Sequence, residues 1–416
     1  MLTCLFLLAP YGYWGQTARQ LLQVPVVMIS IDGLKPDYVL QADKHGLKIP
    51  HLRRFLKEGA FAAGVKGVVP TVTYPSHTTL VTGVSPSKHG ILANTPFDPY
   101  GKNWGGWYWY AEDIRVPTLW DAAVAAGLTT ANVDWPVTVG ADITYNIPQY
   151  WRAETPDDHK IMRTLSRPAG LLAEAEKQLG SYPEGNDYTI AADQQRARFN
   201  VYLLDKKKPR LLFCYFSGLD TEQHESGPDS SGTFAVLEQI DTLVGQVRAA
   251  AERAGSGQAV ICVVSDHGFF RVEKELRLNS VFREEGLLEL NEKGKVSSWK
   301  AFAWSSSGSA AVLASDPNDT ALVSKTRSIL LKLAQDPNHG IQSVLDKEDI
   351  ERLGDFPDAA FVVGMKKGVK ISEEASGPRL RSLNPSGSHG FLPDQAQMNS
   401  VSLSLAQESR RACPLA

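Results

Sequence analysis

The chain has 416 residues, with 43 lysines and arginines against 46 aspartates and glutamates and a formal net charge of −3. That length suits one large α/β domain with insertions, and the near-neutral balance excludes a general polyanion-binding surface, with Lys206-Lys207-Lys208 and Arg210 read as a solvated strand entrance. Four scattered cysteines without a CxxC pair exclude a disulfide framework, a zinc ribbon and a thioredoxin-type site, so any metal must use histidine and carboxylate.

Residues 1–23 open with MLTCLFLLAP, an apolar stretch too short to span a bilayer. They are compatible with a secretory signal that lacks a charged leading region, or with an N-terminal extension. The expected location is therefore periplasmic or secreted, with cytoplasmic as the alternative. No other segment has the length of a transmembrane helix.

Residues 24–405 are expected to form one catalytic domain, followed by a tail, 406–416. Short apolar runs recur along it: VPVVMISI (Val24 to Ile31), TTANV (Thr129 to Val133), RLLFCYF (Arg210 to Phe216), QAVICVV (Gln258 to Val264) and AAFVV (Ala359 to Val363). Continuous apolarity predicts strands buried on both faces. Helical patterns separate them. HLRRFLKEGA puts Leu52, Phe55 and Leu56 on one side, VPTLWDAAVAAG offers Thr118 as a cap, and Phe234, Leu237, Ile240, Leu243 and Val247 keep helical spacing. Strands alternating with helices predict a doubly wound, mostly parallel sheet with helices on both faces. Three stretches read as insertions or irregular segments: Gly101 to Thr118, rich in tryptophan and tyrosine, a polar region from Glu273 to Ser305, and Gly364 to Ser388.

Open parallel sheets carry ligands beyond the carboxyl ends of their strands. The first run is followed there by Asp32, the third by Asp220 with His224 four residues on, and the fourth by Asp266-His267. Each alone reads as a turn residue or a helix cap. Together, three carboxylates at one sheet edge would repel and raise one another's pKa unless a cation neutralised them. Mixed aspartate and histidine ligands suit a borderline metal such as zinc. GSHGF adds His389 between glycines, so a two-metal site is the economical reading.

PTVTYPSHTTLVTG, Pro70 to Gly83, crowds five threonines at the start of a helix. Capping of free amides is one explanation. A second is that a threonine beside two metals loses its proton and becomes an alkoxide nucleophile, with the helix N-terminus supporting negative charge. Asn94 supplies an amide that can donate to a substrate oxygen as charge builds on it.

The ordered set ISIDG, PTVTYPSHTTLVTG, SPSKHGILAN, SGLDTEQHESGP, VVSDHG and GSHGF, spread over the stretch from Val24 to Met398, resembles the nucleotide pyrophosphatase/phosphodiesterase family of the alkaline phosphatase superfamily, in its minimal bacterial type. The resemblance implies two zinc ions, one held by Asp220, His224 and His389 and the other by Asp32, Asp266 and His267. It implies Thr73 as nucleophile and metal-contacting residue, Asn94 as the contact to a non-bridging phosphate oxygen, and Tyr74 as an aromatic lining the pocket for the leaving nucleoside or lipid. Thr71, Ser76, Thr78, His77 and His89 are then structural.

The implied reaction is two in-line displacements at phosphorus through a phosphothreonine intermediate, with retained configuration. Two departures accompany it: the ending after Met398 looks altered and is expected to be poorly ordered, and cysteine-rich extra domains are absent. Alternatives are a phosphomonoesterase or phosphonate hydrolase on the same scaffold, and a non-catalytic binding protein that keeps the fold. A sulfatase is excluded by the missing CxPxR-type motif. The expected partner is a small phosphodiester or nucleotide substrate. Asn103 to Tyr110 and Trp135-Pro136 are either a grip on that substrate or packing for a loop.

Overall fold

The computed structural model describes residues 24–103, 106–152 and 154–406; the signal-like segment 1–23, Trp104 and Gly105 of the aromatic insertion, and nearly all of the 406–416 tail lie outside them. The apolar run Val26–Ile31 forms the middle of a seven-stranded sheet. Parallel neighbours flank it, Leu211–Phe216 on one side and Val260–Val264 on the other. Thr130–Val133 and Tyr145–Ile147 extend the sheet in the same direction beyond Leu211–Phe216. Ser402–Ala406 then Ala60–Phe61 complete the opposite edge by antiparallel pairing.

Successive side chains of one strand enter different cores, as the two-residue period of a strand requires. Leu212, Cys214 and Phe216 pack with Leu237, Ile240 and Val247 of the long helix Ser231–Ala254. Phe213 and Tyr215 pack with Val81, Trp120 and Trp135. Both faces are therefore covered, which is why these strands read as unbroken apolar runs. The helix Pro50–Glu58 buries Leu52 and Phe55. Leu119–Ala125 begins with a capping box in which Thr118 and Asp121 satisfy each other's backbone amides.

Three expectations are corrected. AAFVV is a strand, Phe361–Met365, but belongs to a separate four-stranded antiparallel sheet with Ala301–Ser305, Ser309–Ala314 and Ile341–Leu345. Apolar continuity announces burial on both faces and does not say in which sheet. The polar region from Glu273 and the irregular segment to Ser388 contain Phe270–Arg277, Gly368–Ser372 and Leu380–Ser388, which pair as a three-stranded sheet. Arg271 and Glu273 of FRVEKELR are exposed and Glu275 is buried against Arg277, while Phe270, Val272 and Leu276 enter a second hydrophobic core. The segment after Met398 supplies Ser402–Ala406, whose alternating Leu403 and Leu405 are buried. No helix of the described residues is long and apolar enough to cross a membrane.

Candidate metal centre and active site

The register of the central strands levels their carboxyl ends. Ile31 lies opposite Phe216 and Ser30 opposite Val264, so Asp32, the Ser217–Asp220 turn and Ser265–His267 leave three adjacent strands at one height. Asp32, Asp266 and His267 form one group and Asp220, His224 and His389 another; within each, one ligand atom per residue lies within 4.8 Å of the others. In the first, His267 Nε2 is 3.3 Å from Asp32 Oδ1 and 3.2 Å from Asp266 Oδ2. In the second, Asp220 lies 3.5 Å from His224 Nε2 and 3.7 Å from His389 Nε2. The rings of His267 and His389 stack at 3.7 Å between centroids, 8° from parallel, so the two groups adjoin.

Each of these three histidines turns Nδ1–H to a backbone carbonyl: His224 to Gly387 at 3.0 Å, His267 to Gly268 at 3.2 Å and His389 to Thr71 at 3.2 Å. That bond leaves Nε2 as the free lone pair, the second contact that metal-bound histidines generally carry. Asp266 is fixed through Oδ1, which accepts the amides of Gly33 and His267, both at 3.1 Å. Gly33 has φ +67°, and a Cβ there would come within 2.7 Å of Phe269, so only glycine brings this amide to Asp266. Asp32 Oδ2 accepts a short hydrogen bond from the Tyr215 hydroxyl.

The donor set fits divalent cations. Asp32 Oδ1, Asp220 Oδ1, Asp266 Oδ2 and His267 Nε2 are buried and have no hydrogen-bond partner among the described residues, a costly arrangement for polar atoms with nothing to bind. Burial, then the charges of Asp266 and Asp220, drive the Asp32 pKa well up. Burial pushes Asp220 up to about 6 although His224 opposes it. Burial holds His267 and His389 well below the usual imidazole range, hence neutral and able to donate a lone pair.

The helix Thr73–Thr82 points its N-terminus at this site, and its hydroxyls are not caps. The Tyr74 amide is capped instead by Asn94 Oδ1 at 2.9 Å. Thr71 Oγ1 donates to the Phe391 carbonyl, Thr78 and Thr82 donate to carbonyls four residues back, and Thr79 accepts from His89. Of the five threonines, Thr73 alone has a hydroxyl without a hydrogen bond among the described residues, and Thr73 lines a cavity of about 400 Å³ together with Asp32, Asn94, Asp220, His224 and His389. His77 donates to the Thr73 carbonyl at 2.8 Å and accepts from Ser30 Oγ at 2.8 Å. His89 accepts from the Ile91 amide, and burial lowers its pKa to about 4.

The remaining wall is aromatic. Tyr74, Trp107, Trp151 and Tyr188 line the cavity, each ring 5.1–5.3 Å from the next. Of the two aromatic stretches singled out in the sequence, Trp107 reaches the site, whereas Trp109 and Trp135 are fully buried packing. Sequence reasoning missed Tyr215, Gln149, Trp151, Tyr188 and Glu225. Tyr215 had a signal, since it is the one polar tip in an otherwise apolar strand and stands in register with Ser30, two residues before Asp32. The others lie on loops or a helix whose approach to the site no local pattern announces.

A family model described as type I phosphodiesterase / nucleotide pyrophosphatase matches residues 26–392. The chain is 24% identical over 266 residues to the bis(5'-adenosyl)-triphosphatase ENPP4 of Homo sapiens, covering 61% of this chain and 49% of that protein. It is 25% identical over 252 residues to an uncharacterized pyrophosphatase/phosphodiesterase of Schizosaccharomyces pombe, covering 59% and 45% respectively. The matched stretch thus spans about half the length of these curated relatives. Among solved structures, murine ectonucleotide pyrophosphatase/phosphodiesterase 5, as an inactive threonine-to-alanine variant in complex with AMP, aligns with a TM-score of 0.61 at 22% identity, over 92% of this chain and 88% of that one. Phosphonoacetate hydrolase from Sinorhizobium meliloti, in complex with phosphonoacetate, aligns with a TM-score of 0.68 at 19% identity, over 94% and 92%. These structural likenesses carry the fold, an alkaline phosphatase-like α/β architecture. Since the family match takes in the helix Thr73–Thr82 and both aspartate–histidine groups, the chain belongs to the type I phosphodiesterase / nucleotide pyrophosphatase family.

Proposed function

We propose that this chain hydrolyses phosphodiester or phosphoanhydride bonds of nucleotide-type substrates, with one zinc ion held by Asp220, His224 and His389, a second by Asp32, Asp266 and His267, and Thr73 as nucleophile. The observation that carries the reading is the Thr73 hydroxyl, at the start of its helix and without a hydrogen bond among the described residues, in the cavity that Asp32 of one group and Asp220, His224 and His389 of the other also line. When bound, the ions supply positive charge that lowers the pKa of a neighbouring hydroxyl and offsets charge on the phosphoryl oxygens. Thr73 Oγ1 attacks phosphorus, the bond to the leaving oxygen breaks, and a phosphothreonine forms; water then attacks the same phosphorus and releases Thr73. Asn94, held by its Oδ1 on the Tyr74 amide, offers its NH₂ to a non-bridging oxygen. The threonine-to-alanine change in the inactive murine relative supports a threonine in this role.

Charge balance favours diesters over monoesters. Three ligand carboxylates against two divalent ions leave one net positive charge, which a diester monoanion cancels and a monoester dianion exceeds. No lysine or arginine lines the cavity among the described residues, and Glu225 on its wall has no ion-pair partner there. The kcat/KM for the nitrophenyl ester of thymidine monophosphate is therefore expected to exceed that for nitrophenyl phosphate by roughly 100-fold, the scale of one missing charge stabiliser, with both rates abolished by chelation. Equal or reversed rates would overturn the diester reading, and faster hydrolysis of phosphonoacetate would transfer it to phosphonates.

A further inference from the structure

One cluster of buried charges that this chemistry leaves unused adjoins the helix that bears Asp220. Asp134, Asp193 and Arg196 are each fully buried, which is costly unless the charges pair and satisfy their hydrogen bonds. Arg196 Nε lies 2.9 Å from Asp134 Oδ2, and Nη1 lies 3.2 Å from Asp193 Oδ1. Its Nη2 donates to the Asp187 carbonyl at 2.7 Å. Asp193 accepts the Ser217 amide at 3.2 Å and the Gly218 amide at 2.7 Å.

Those two amides open the helix Gly218–Ser226, where backbone donors lack partners within the helix and a carboxylate is favoured by the dipole. The same helix presents Asp220 and His224, four residues apart and so on one face. A Cβ at Gly218 would lie 2.9 Å from Asp193 Oδ2, so the contact requires glycine. The other end of the network reaches the nucleophile helix: Gln149 hydrogen-bonds to Asp134 and accepts from the Tyr74 hydroxyl at 2.7 Å.

The two metal groups differ in how far packing alone can hold them. Asp32, Asp266 and His267 are almost fully enclosed, whereas the His224 side chain is 41% exposed. Neighbouring side chains therefore do less to fix His224, and it and Asp220 take their position from the start of the helix that bears them, while His389 is held separately by the Thr71 carbonyl.

We propose that Asp193, neutralised by Arg196, is a positioning residue for the Asp220, His224 and His389 site: its carboxylate sets the depth and rotation of the ligand-bearing helix. The inference rests on the metal reading above. It adds that the two sites depend on different supports.

A matched control exists in the fold. Asp241 is also buried and accepts the amides of His51 and Leu52, at 3.1 and 2.7 Å, at the start of the helix Pro50–Glu58, which carries no ligand. The test is zinc titration of the metal-free chain in competition with a chromophoric chelator. Wild type is expected to take up two equivalents. D193N should weaken one of them roughly 10- to 100-fold, the scale of losing an outer-shell partner, and leave the other in place. D241N should move neither, although both variants lower the thermal midpoint. Should D193N not fold, G218A provides the second variant, because it disturbs the same contact with every charge retained and should weaken the same equivalent. Two unshifted equivalents in D193N or in G218A, or a D241N shift as large as theirs, would overturn the assignment. A wild-type chain that takes up no zinc would overturn the metal reading itself and this inference with it.

Discussion

Thr73→Ala is expected to lower kcat by about 10⁴- to 10⁶-fold, the range seen when a catalytic nucleophile is removed and only binding and electrostatic contributions remain. The same variant should fold and bind metal as wild type does. Its hydroxyl is the one in the segment with no hydrogen bond among the described residues, so truncation strands no buried partner, and alanine suits the first turn of a helix. A loss of stability of no more than about 1 kcal/mol follows, the centre of the range for single substitutions. The pairing of lost turnover with intact metal content separates a nucleophile from a structural threonine such as Thr71, whose hydroxyl and carbonyl hold Phe391 and His389. Normal turnover by Thr73→Ala would exclude it as nucleophile.

Asp266→Ala is expected to remove activity by a different route, with loss of roughly 10³-fold or more, beyond the 10- to 100-fold typical of an outer-shell residue. The substitution deletes a ligand atom and also strands the buried amides of Gly33 and His267, at about 1–3 kcal/mol each. Against that stands a relief: in the metal-free chain the Asp266 charge helps to push the Asp32 carboxyl up, and removing it lessens the repulsion. Metal removal should therefore lower the thermal midpoint of wild type more than that of Asp266→Ala, as scanning calorimetry with and without chelator would show. A variant that keeps wild-type metal content and turnover would contradict the ligand role.

Much of this site was legible because its ligands follow strand ends, and strand ends are easy to locate when both sheet faces are buried. Val26–Ile31, Leu211–Phe216 and Val260–Val264 each announce themselves by nearly continuous apolarity, and the residues just beyond them make up most of the two aspartate–histidine groups. His389 was found through its flanking glycines, one of which has φ +81° and sits where a Cβ would meet the Ser306 carbonyl at 1.7 Å. The hydroxyl cluster was legible as unusual but not in its division of labour. That helix-interior threonines bond to their own backbone while Asn94 does the capping depends on where a loop 20 residues later returns.

The three-stranded sheet of Phe270–Arg277, Gly368–Ser372 and Leu380–Ser388 was hidden because its strands mix charged or polar with apolar residues in short stretches, a pattern shared with solvated loops. The Asp134–Arg196–Asp193 network was hidden for another reason. Asp134 lies far in sequence from Asp193 and Arg196, and an aspartate in the first turn of a helix, like Asp193 in Ile190–Tyr202, reads as an ordinary dipole partner. Only the fold brings it against a different helix.

The most direct measurement is anomalous diffraction at the zinc edge from crystals of the full chain prepared with zinc. The account predicts two peaks, one bordered by Asp32, Asp266 and His267 and the other by Asp220, His224 and His389, with Thr73 Oγ1 facing both. Peaks elsewhere, or none at these six side chains, would contradict it.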